Sequence, residues 1–255
     1  SDWSSDVCSS DLVRGEVFDS ESLDPIEGAR VVVVDGDTMA AAAPVAITDA
    51  GGMFSQRVEL TEEQESMGFT LRVSAEGYLP FPDPPIRPAI PEQVYRFSTS
   101  DVVPVALIHD ATLEGLGSIA GTVTLDGTGV GGVLIVAAGA DDHSTVTDVD
   151  GTYVMLNIQD GTWDVAALAA GMTRGEVTGV EVSGAADVTG VDMDLTSDPA
   201  GSVSGTCNFV AGGEAPASVV LFYPGTLEAV PGLRVQTSGE WTIEDVPDGT
   251  YDIYA

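Results

Sequence analysis

One pattern of glycines and aromatics, written three times, constrains what this chain can fold into more than any other feature. Three segments open alike: Val13-Arg-Gly-Glu-Val17, Ser118-Ile-Ala-Gly-Thr-Val123 and Ser202-Val-Ser-Gly-Thr-Cys207. Each is a short alternating stretch with a glycine at the same point: Gly15, Gly121 and Gly205. After a turn comes an apolar, β-rich run: Ala29 to Val34, Val133 to Ala138 and Ser218 to Tyr223. Next is a turn whose glycine sits two residues ahead of an aromatic. The instances are Thr48-Asp-Ala-Gly-Gly-Met-Phe54, Thr147-Asp-Val-Asp-Gly-Thr-Tyr153 (through Gly151) and Thr237-Ser-Gly-Glu-Trp241 (through Gly239). A second aromatic follows ten residues on, from Tyr153 to Trp163 and from Trp241 to Tyr251, preceded by Gly161 and Gly249. In the first copy Phe69 takes that place, eight residues before Gly77 as Trp163 is before Gly171.

Period-2 alternation in Thr152 to Ile158 and in Val188 to Leu195 leaves one face apolar, as a half-buried antiparallel strand requires. No window of helical length carries a 3.6-residue stripe. Short strands between Gly, Pro and Asp turns predict an all-β chain of tandem small antiparallel Greek-key β-sandwich modules, prealbumin-like or Ig-like. The expected divisions are 13–112, 116–196 and 200–255, the third module stopping while its equivalent in the middle copy is still in a strand. The second aromatic element is expected to close a hairpin in each copy. In the first copy that hairpin is longer and carries Thr61-Glu-Glu-Gln-Glu65. Leu79 to Pro91 holds six prolines and reads as an extended loop inside the first module. Ser1 to Leu12 (SDWSSDVCSSDL) resembles translated sequencing-adapter read-through and is set aside as an artefactual or disordered leader. That leaves Cys207 without an internal disulfide partner.

The combined pattern, a G-x-V strand, an apolar run, T-D-x-x-G-x-[YF], then D-G-x-[YW]-x-[VL] and A-x-G, resembles carboxypeptidase regulatory-like domains. These share a transthyretin-like (prealbumin-like) sandwich and are related to collagen-binding-protein B-type repeats. The middle copy matches best, through Gly121, Thr147, Asp148, Gly151, Tyr153, Gly161, Trp163 and Gly171. The first matches with insertions. The third lacks the Thr-Asp pair and has Val235 and Gln236 there, while keeping Gly239, Trp241, Gly249 and Tyr251. The resemblance implies residues that serve turns and packing, no catalytic residue, and an accessory module on an exported bacterial protein.

Charge narrows the partners. The chain has 8 basic and 41 acidic residues, a net charge of −33, and no lysine. Such a surface repels phosphate backbones and anionic lipid heads, which excludes nucleic-acid binding and peripheral membrane docking. No apolar run approaches the roughly 18 residues needed to span a bilayer. Without lysine, neither a Lys–Asn isopeptide bond nor a sortase-type pilin linkage can form. The lysine-poor composition fits GC-rich coding or salt adaptation equally.

Reactive chemistry finds no footing. His109 and His143 lie in different modules, and neither belongs to an H-x-x-E pair, so a zinc peptidase site has no ligands. Gly201-Ser-Val-Ser-Gly205 and Gly117-Ser-Ile-Ala-Gly121 miss the serine elbow and lie on opening strands. Gly115 to Gly121 precedes a strand where a dinucleotide fingerprint needs a helix. Calcium is the one metal with candidate ligands, Asp141, Asp142, Asp148 and Asp150, although Val146 breaks the EF-hand spacing. Asp148 is read more simply as a turn former. Tyr153, Trp163, Trp241 and Tyr251 have the surfaces to stack on sugars, but their repeat-matched places on strands assign them to packing. The sequence therefore predicts a non-enzymatic spacer or interaction array, extracellular or at the cell surface, without cofactor. Its modules are expected to be monomeric units of a longer chain, with a glycan or protein ligand as candidate partner. The alternatives are a glycan- or calcium-dependent adhesin and the accessory region of a larger peptidase. Separate cores predict semi-independent unfolding of the modules.

Overall fold

The computed structural model describes residues 12–35, 41–58, 69–82, 102–197, 201–208, 217–226 and 228–255. The leader up to residue 11, the Thr61 to Glu65 stretch and the Pro-rich segment beyond residue 82 lie outside the described residues. The fold is all-β. Among the described residues the one helical element is a 3-10 turn, Ala111–Leu113, capped by Asp110, whose carboxylate accepts from the Thr112 N–H.

Six strands come first: β1 (Leu12–Asp19), β2 (Arg30–Asp35), β3 (Ala46–Ile47), β4 (Met53–Arg57), β5 (Phe69–Ser74) and β6 (Val102–Leu107). They form two three-stranded sheets, β4-β1-β6 and β3-β2-β5. Leu12 belongs to β1, paired with Arg57. The middle unit holds β7 (Gly117–Leu125), β8 (Thr128–Gly129), β9 (Leu134–Ala138), β10 (His143–Val146), β11 (Thr152–Ile158), β12 (Gly161–Leu168), β13 (Gly175–Val182), β14 (Asp187–Val188) and β15 (Met193–Leu195). One sheet runs β10-β9-β12-β13; the other runs β11-β7-β14, with β8 and β15 also on β7. The third unit holds β16 (Gly201–Thr206), β17 (Ala217–Phe222), β18 (Ala229–Thr237), β19 (Glu240–Val246) and β20 (Asp252–Tyr254), paired as β16-β19 and β18-β17-β20.

Ladders are antiparallel except where the closing strand returns beside the opening one: β6 on β1 and β14 and β15 on β7 are parallel. Two sequence expectations change here. Val188 to Leu195 is two short strands, because Gly190 takes φ +78° and breaks the ladder, although Val191, Met193 and Leu195 keep one buried face. The segment between the two aromatics of the middle copy is an arch between sheets, since β11 pairs with β7 while β12 pairs with β9 and β13. Tyr153 and Trp163 thereby reach one core from opposite sheets, at 2% and 1% exposure.

The recurring glycine now has a cause. Gly15 pairs across strands with Phe54, Gly121 with Tyr153 and Gly205 with Trp241. A Cβ on Gly15 would sit 2.3 Å from the Phe54 ring, and one on Gly205 2.6 Å from the Trp241 ring. A Cβ on Gly121 would meet the Tyr153 hydroxyl at 3.0 Å and the Val191 carbonyl oxygen at 2.0 Å. The glycine leaves the space into which its partner's ring lies. The turn before each aromatic is tied back to the opening strand the same way. Val17, Val123 and Cys207 donate backbone N–H bonds to the carbonyls of Gly52, Gly151 and Gly239, each at 2.8 Å.

Each module does not bury its outer faces alone. Leu134, Val136, Ala166 and Leu168, on the outer face of β9 and β12, share a cluster with Val219, Leu221, Val230 and Leu233 of the third unit. Val32 and Val34 of β2 meet Val220 and Phe222 of β17 in another. Faces shared between units predict that loss of one spreads to its neighbour, in place of the independent unfolding that separate cores alone would give. Trp163→Ala should cost about 3–5 kcal/mol. Hydrogen exchange should then accelerate in β17 and β18 as well as in β9 and β12; acceleration confined to the middle unit would contradict the coupling.

Candidate functional site

Where the three units meet, β5, β10 and the residue ahead of β18 bring Arg72, Ser144 and Glu228 together. Arg72 binds Glu228 through both guanidinium arms, Nη1 to Oε2 at 2.9 Å and Nη2 to Oε1 at 2.9 Å. Nη2 also donates to Ser144 Oγ at 2.9 Å, and that hydroxyl donates to Glu228 Oε1. Each residue comes from a different unit. The side chains of Arg72 and Glu228 are 18% and 8% exposed, so the bidentate pair is largely desolvated and depends on its own geometry for compensation.

Beside it lies a cavity of about 280 Å³, lined by Thr70, Phe81, His143, Leu156 and Asn157 among others. Thr70 Oγ1 and His143 Nε2 are buried without a hydrogen-bond partner. The His143 ring stands edge-on to Trp163, centroids 5.3 Å apart. Burial lowers its pKa, and Asp141 and Asp142 oppose the shift only in part. The Ser144 hydroxyl donates its hydrogen bond to Glu228, whose carboxylate is paired with Arg72. The cluster joins one residue from each of the three units.

A second contact recurs. Asn157, at φ +61° beside a β-bulge, accepts from the Gly77 N–H at 3.0 Å and donates to the carbonyls of Ala75 (3.0 Å) and Tyr78 (2.9 Å). Asparagine tolerates the left-handed region better than most residues. Four residues after the third copy's aromatic, Asp245 takes φ +58°, as Asn157 does four after Tyr153. The Asp245 carbonyl accepts from the Gly171 N–H at 2.8 Å, and the neighbouring Ala170 N–H reaches the Pro231 carbonyl at 3.0 Å. The A-x-G turns of the first two copies thus meet the positive-φ residue of the copy that follows, through the Asn157 side chain in one case and the Asp245 backbone carbonyl in the other.

The sequence-derived residues are placed as follows. Thr147 Oγ1 accepts from the Val133 N–H and donates to the Val130 carbonyl; Thr48 does the same for Ala29 and Ile26. Asp148 Oδ1 accepts from the N–H groups of Asp150 and Thr152, each at 3.0 Å, and Oδ2 accepts from Thr152 Oγ1. That is an Asx-type turn. Asp141, Asp142 and Asp150 are exposed, with Asp141 and Asp142 at the far end of β10 from Asp148. No group of three or more His, Cys, Asp or Glu side chains suited to a metal occurs among the described residues. Gly151 sits at φ +81°, where a Cβ would be 2.3 Å from the Val123 carbonyl oxygen. Without the Thr-Asp pair, the third copy holds its turn with Thr237, whose hydroxyl accepts from the Gly239 N–H and donates to the Glu240 carbonyl. Trp163 Nε1 donates to the Gln159 carbonyl and the Tyr251 hydroxyl to that of Pro247, both four residues back. Gly161 and Gly249 sit beside these rings, while Gly171 belongs to the inter-unit contact. Arg72, Ser144, Glu228 and Asn157 escaped the sequence reading. Asn157, the polar interruption of an apolar strand, was the one available signal.

No protein-family model matches the chain, and a search of curated proteins finds no match. Solved structures similar to it include a cohesin–X-dockerin complex from Acetivibrio cellulolyticus (20% identity, 32% of this chain and 53% of that one, TM-score 0.26). The Bacillus anthracis TIE protein is similar at 12% identity over 91% of this chain and 43% of its own, TM-score 0.27. The shaft pilin SpaA of Lactobacillus rhamnosus GG, in a doubly substituted form, is similar at 9% identity over 74% and 98%, TM-score 0.27. The chain spans about half the length of the first two, and at these scores the likeness carries no argument about role. No helix among the described residues is long and apolar enough to cross a membrane.

Two outcomes follow from the junction. Arg72→Met should cost about 3 kcal/mol by leaving Glu228 buried without its cation, and adding Glu228→Leu should recover most of it; urea melts of both variants decide this. His143 contributes through its lowered pKa. As pH falls below the ordinary histidine value of 6.5, the unfolded chain takes up a proton that the folded one resists, so stability is lost in weak acid. His143→Gln should flatten the stability profile between about pH 7.5 and 5.5 relative to the parent chain.

Proposed function

We propose that this chain is a rigid, non-catalytic structural block of an exported bacterial protein, with modules of the carboxypeptidase regulatory-like kind. It sets the distance and angle between the parts it joins. The observation that carries the reading is the repeated interface: the Gly77 turn on Asn157 and the Gly171 turn on Asp245. Residues at equivalent positions meet the preceding turn at both joints, by side chain at Asn157 and by backbone at Asp245, which gives each joint a defined geometry, and the Arg72–Glu228–Ser144 cluster ties all three units. The repeat-matched aromatics supply cores and backbone anchors, which suits a structural role. Export rests on the family resemblance.

Small-angle scattering tests the reading. A single compact shape, unchanged between low salt and about 1 M salt, is expected, because the joints rest on buried contacts that salt screens poorly. Asn157→Ala should loosen the first joint and broaden the distance distribution. Salt-dependent dimensions in the parent chain, or turnover of peptidase, esterase or glycosidase substrates, would sink it.

A further inference from the structure

The contact between Arg72 and Ser144 gathers two orphaned polar atoms on one cavity. Thr70 and Arg72 lie two apart on β5 and so share its outer face, opposite Val34 and Val32 of β2. Arg72 holds Ser144, and His143 is the residue before it on β10, the outermost strand of its sheet among the described residues. The cavity of about 280 Å³ beside this contact is lined by both Thr70 and His143. Thr70 is 0% exposed, yet its Oγ1 has no hydrogen-bond partner. His143 Nε2 is buried and has none either. Trp163 holds that ring in place, edge-on at 5.3 Å.

Buried polar atoms without a partner are rare, and two on one cavity call for an occupant that bonds to them. The rest of the wall says what kind. Val32, Leu79, Phe81 and Leu156 present apolar surface, which water covers at a cost. An apolar cavity of about 150 Å³ takes up benzene; this one is nearly twice as large. No charge is left over inside. Arg72 and Glu228 hold each other through two bonds, Ser144 bridges them, and Asn157 gives its amide to the turn around Gly77. Asp142, the remaining charged residue on the described wall, is exposed to solvent. Burial lowers the His143 pKa and keeps its ring neutral near pH 7. A threonine hydroxyl and a neutral imidazole nitrogen can each donate or accept, according to rotamer and tautomer. A hydroxyl group on the occupant answers either.

We propose that this cavity is a binding site for a small neutral molecule with an apolar ring and a hydroxyl group. The hydroxyl bonds to Thr70 Oγ1 or His143 Nε2, and the ring lies against the apolar wall that includes Phe81 and Leu156. The wall draws on all three units, Thr70 from the first, His143 from the second and Glu228 from the third, so an occupant adds to the contacts between them. The site goes beyond the structural block proposed above: scattering of the free chain decides the block, and ligand titration decides the site.

The experiment titrates the full 255-residue chain, isotope-labelled at histidine and threonine, with p-cresol, toluene and p-toluate in turn, read by NMR. p-Cresol is expected to shift the His143 ring and Thr70 methyl resonances saturably. Toluene leaves the orphaned atoms unpaired and should bind at least about threefold more weakly. The toluate anion has no cation to meet it and should bind at least about tenfold more weakly. Thr70→Val and His143→Phe keep the shape of each side chain while removing the polar atom, and at least one of them should abolish the preference for p-cresol over toluene. No saturable shift, equal affinity for the three molecules, or a preference retained in both variants would each overturn the site. So would a crystal soaked in p-cresol in which water or the chain itself fills the cavity.

Discussion

The cross-strand pair of a glycine and an aromatic ring is the contact on which each unit depends. Gly15 with Phe54, Gly121 with Tyr153 and Gly205 with Trp241 put a large apolar side chain against a bare patch of backbone. The ring gains burial that no Cβ could share, and the strands are held in register because a one-residue slip would turn the ring to the opposite face. The glycine two residues earlier, at positive φ in the first two copies (Gly52 and Gly151), lies where the chain turns under the opening strand, and its carbonyl, like that of Gly239, accepts the same backbone bond. Turn, register and core thus follow from one spacing.

Assembly of the units uses different physics. Apolar outer faces of β2, β9, β12 and β17 supply area without direction. Direction comes from polar groups: Asn157 satisfies three backbone groups of the turn around Gly77, and Arg72 grips Glu228 with both arms while Ser144 bridges. Buried groups of this kind are costly when half-satisfied, which restricts the orientations the units can adopt. Together, area and direction support the block proposed above over a string of beads.

Among the described residues the third unit is less covered than its siblings. With β16 paired on one side among the described residues, its inward residues are less covered, Trp241 is half-buried, and Ile253 and Tyr254 are 50% and 44% exposed. A sandwich needs its closing strand for burial as much as for hydrogen bonds, because that strand carries alternate apolar side chains over the end of the core.

Much of this was legible in the residues. The all-β class, the strands opening each copy, and the packing or turn roles of Thr147, Asp148, Gly151, Tyr153 and Trp163 follow from local spacing, since turns and cross-strand pairs act over few residues. Two local details were still misjudged. The break at Gly190 hides in an unbroken alternation, and the arch between Tyr153 and Trp163 reads like a hairpin, because period-2 patterning reports which face is buried and is silent on which sheet a strand joins. The junction was beyond reach. Arg72, Ser144 and Glu228 are far apart along the chain, and nothing near any of them marks it as partner to the others. The repeat determined three small sandwiches. Only the tertiary structure decided how they dock, because that outcome rests on contacts between residues that the chain brings together after its local structure has formed.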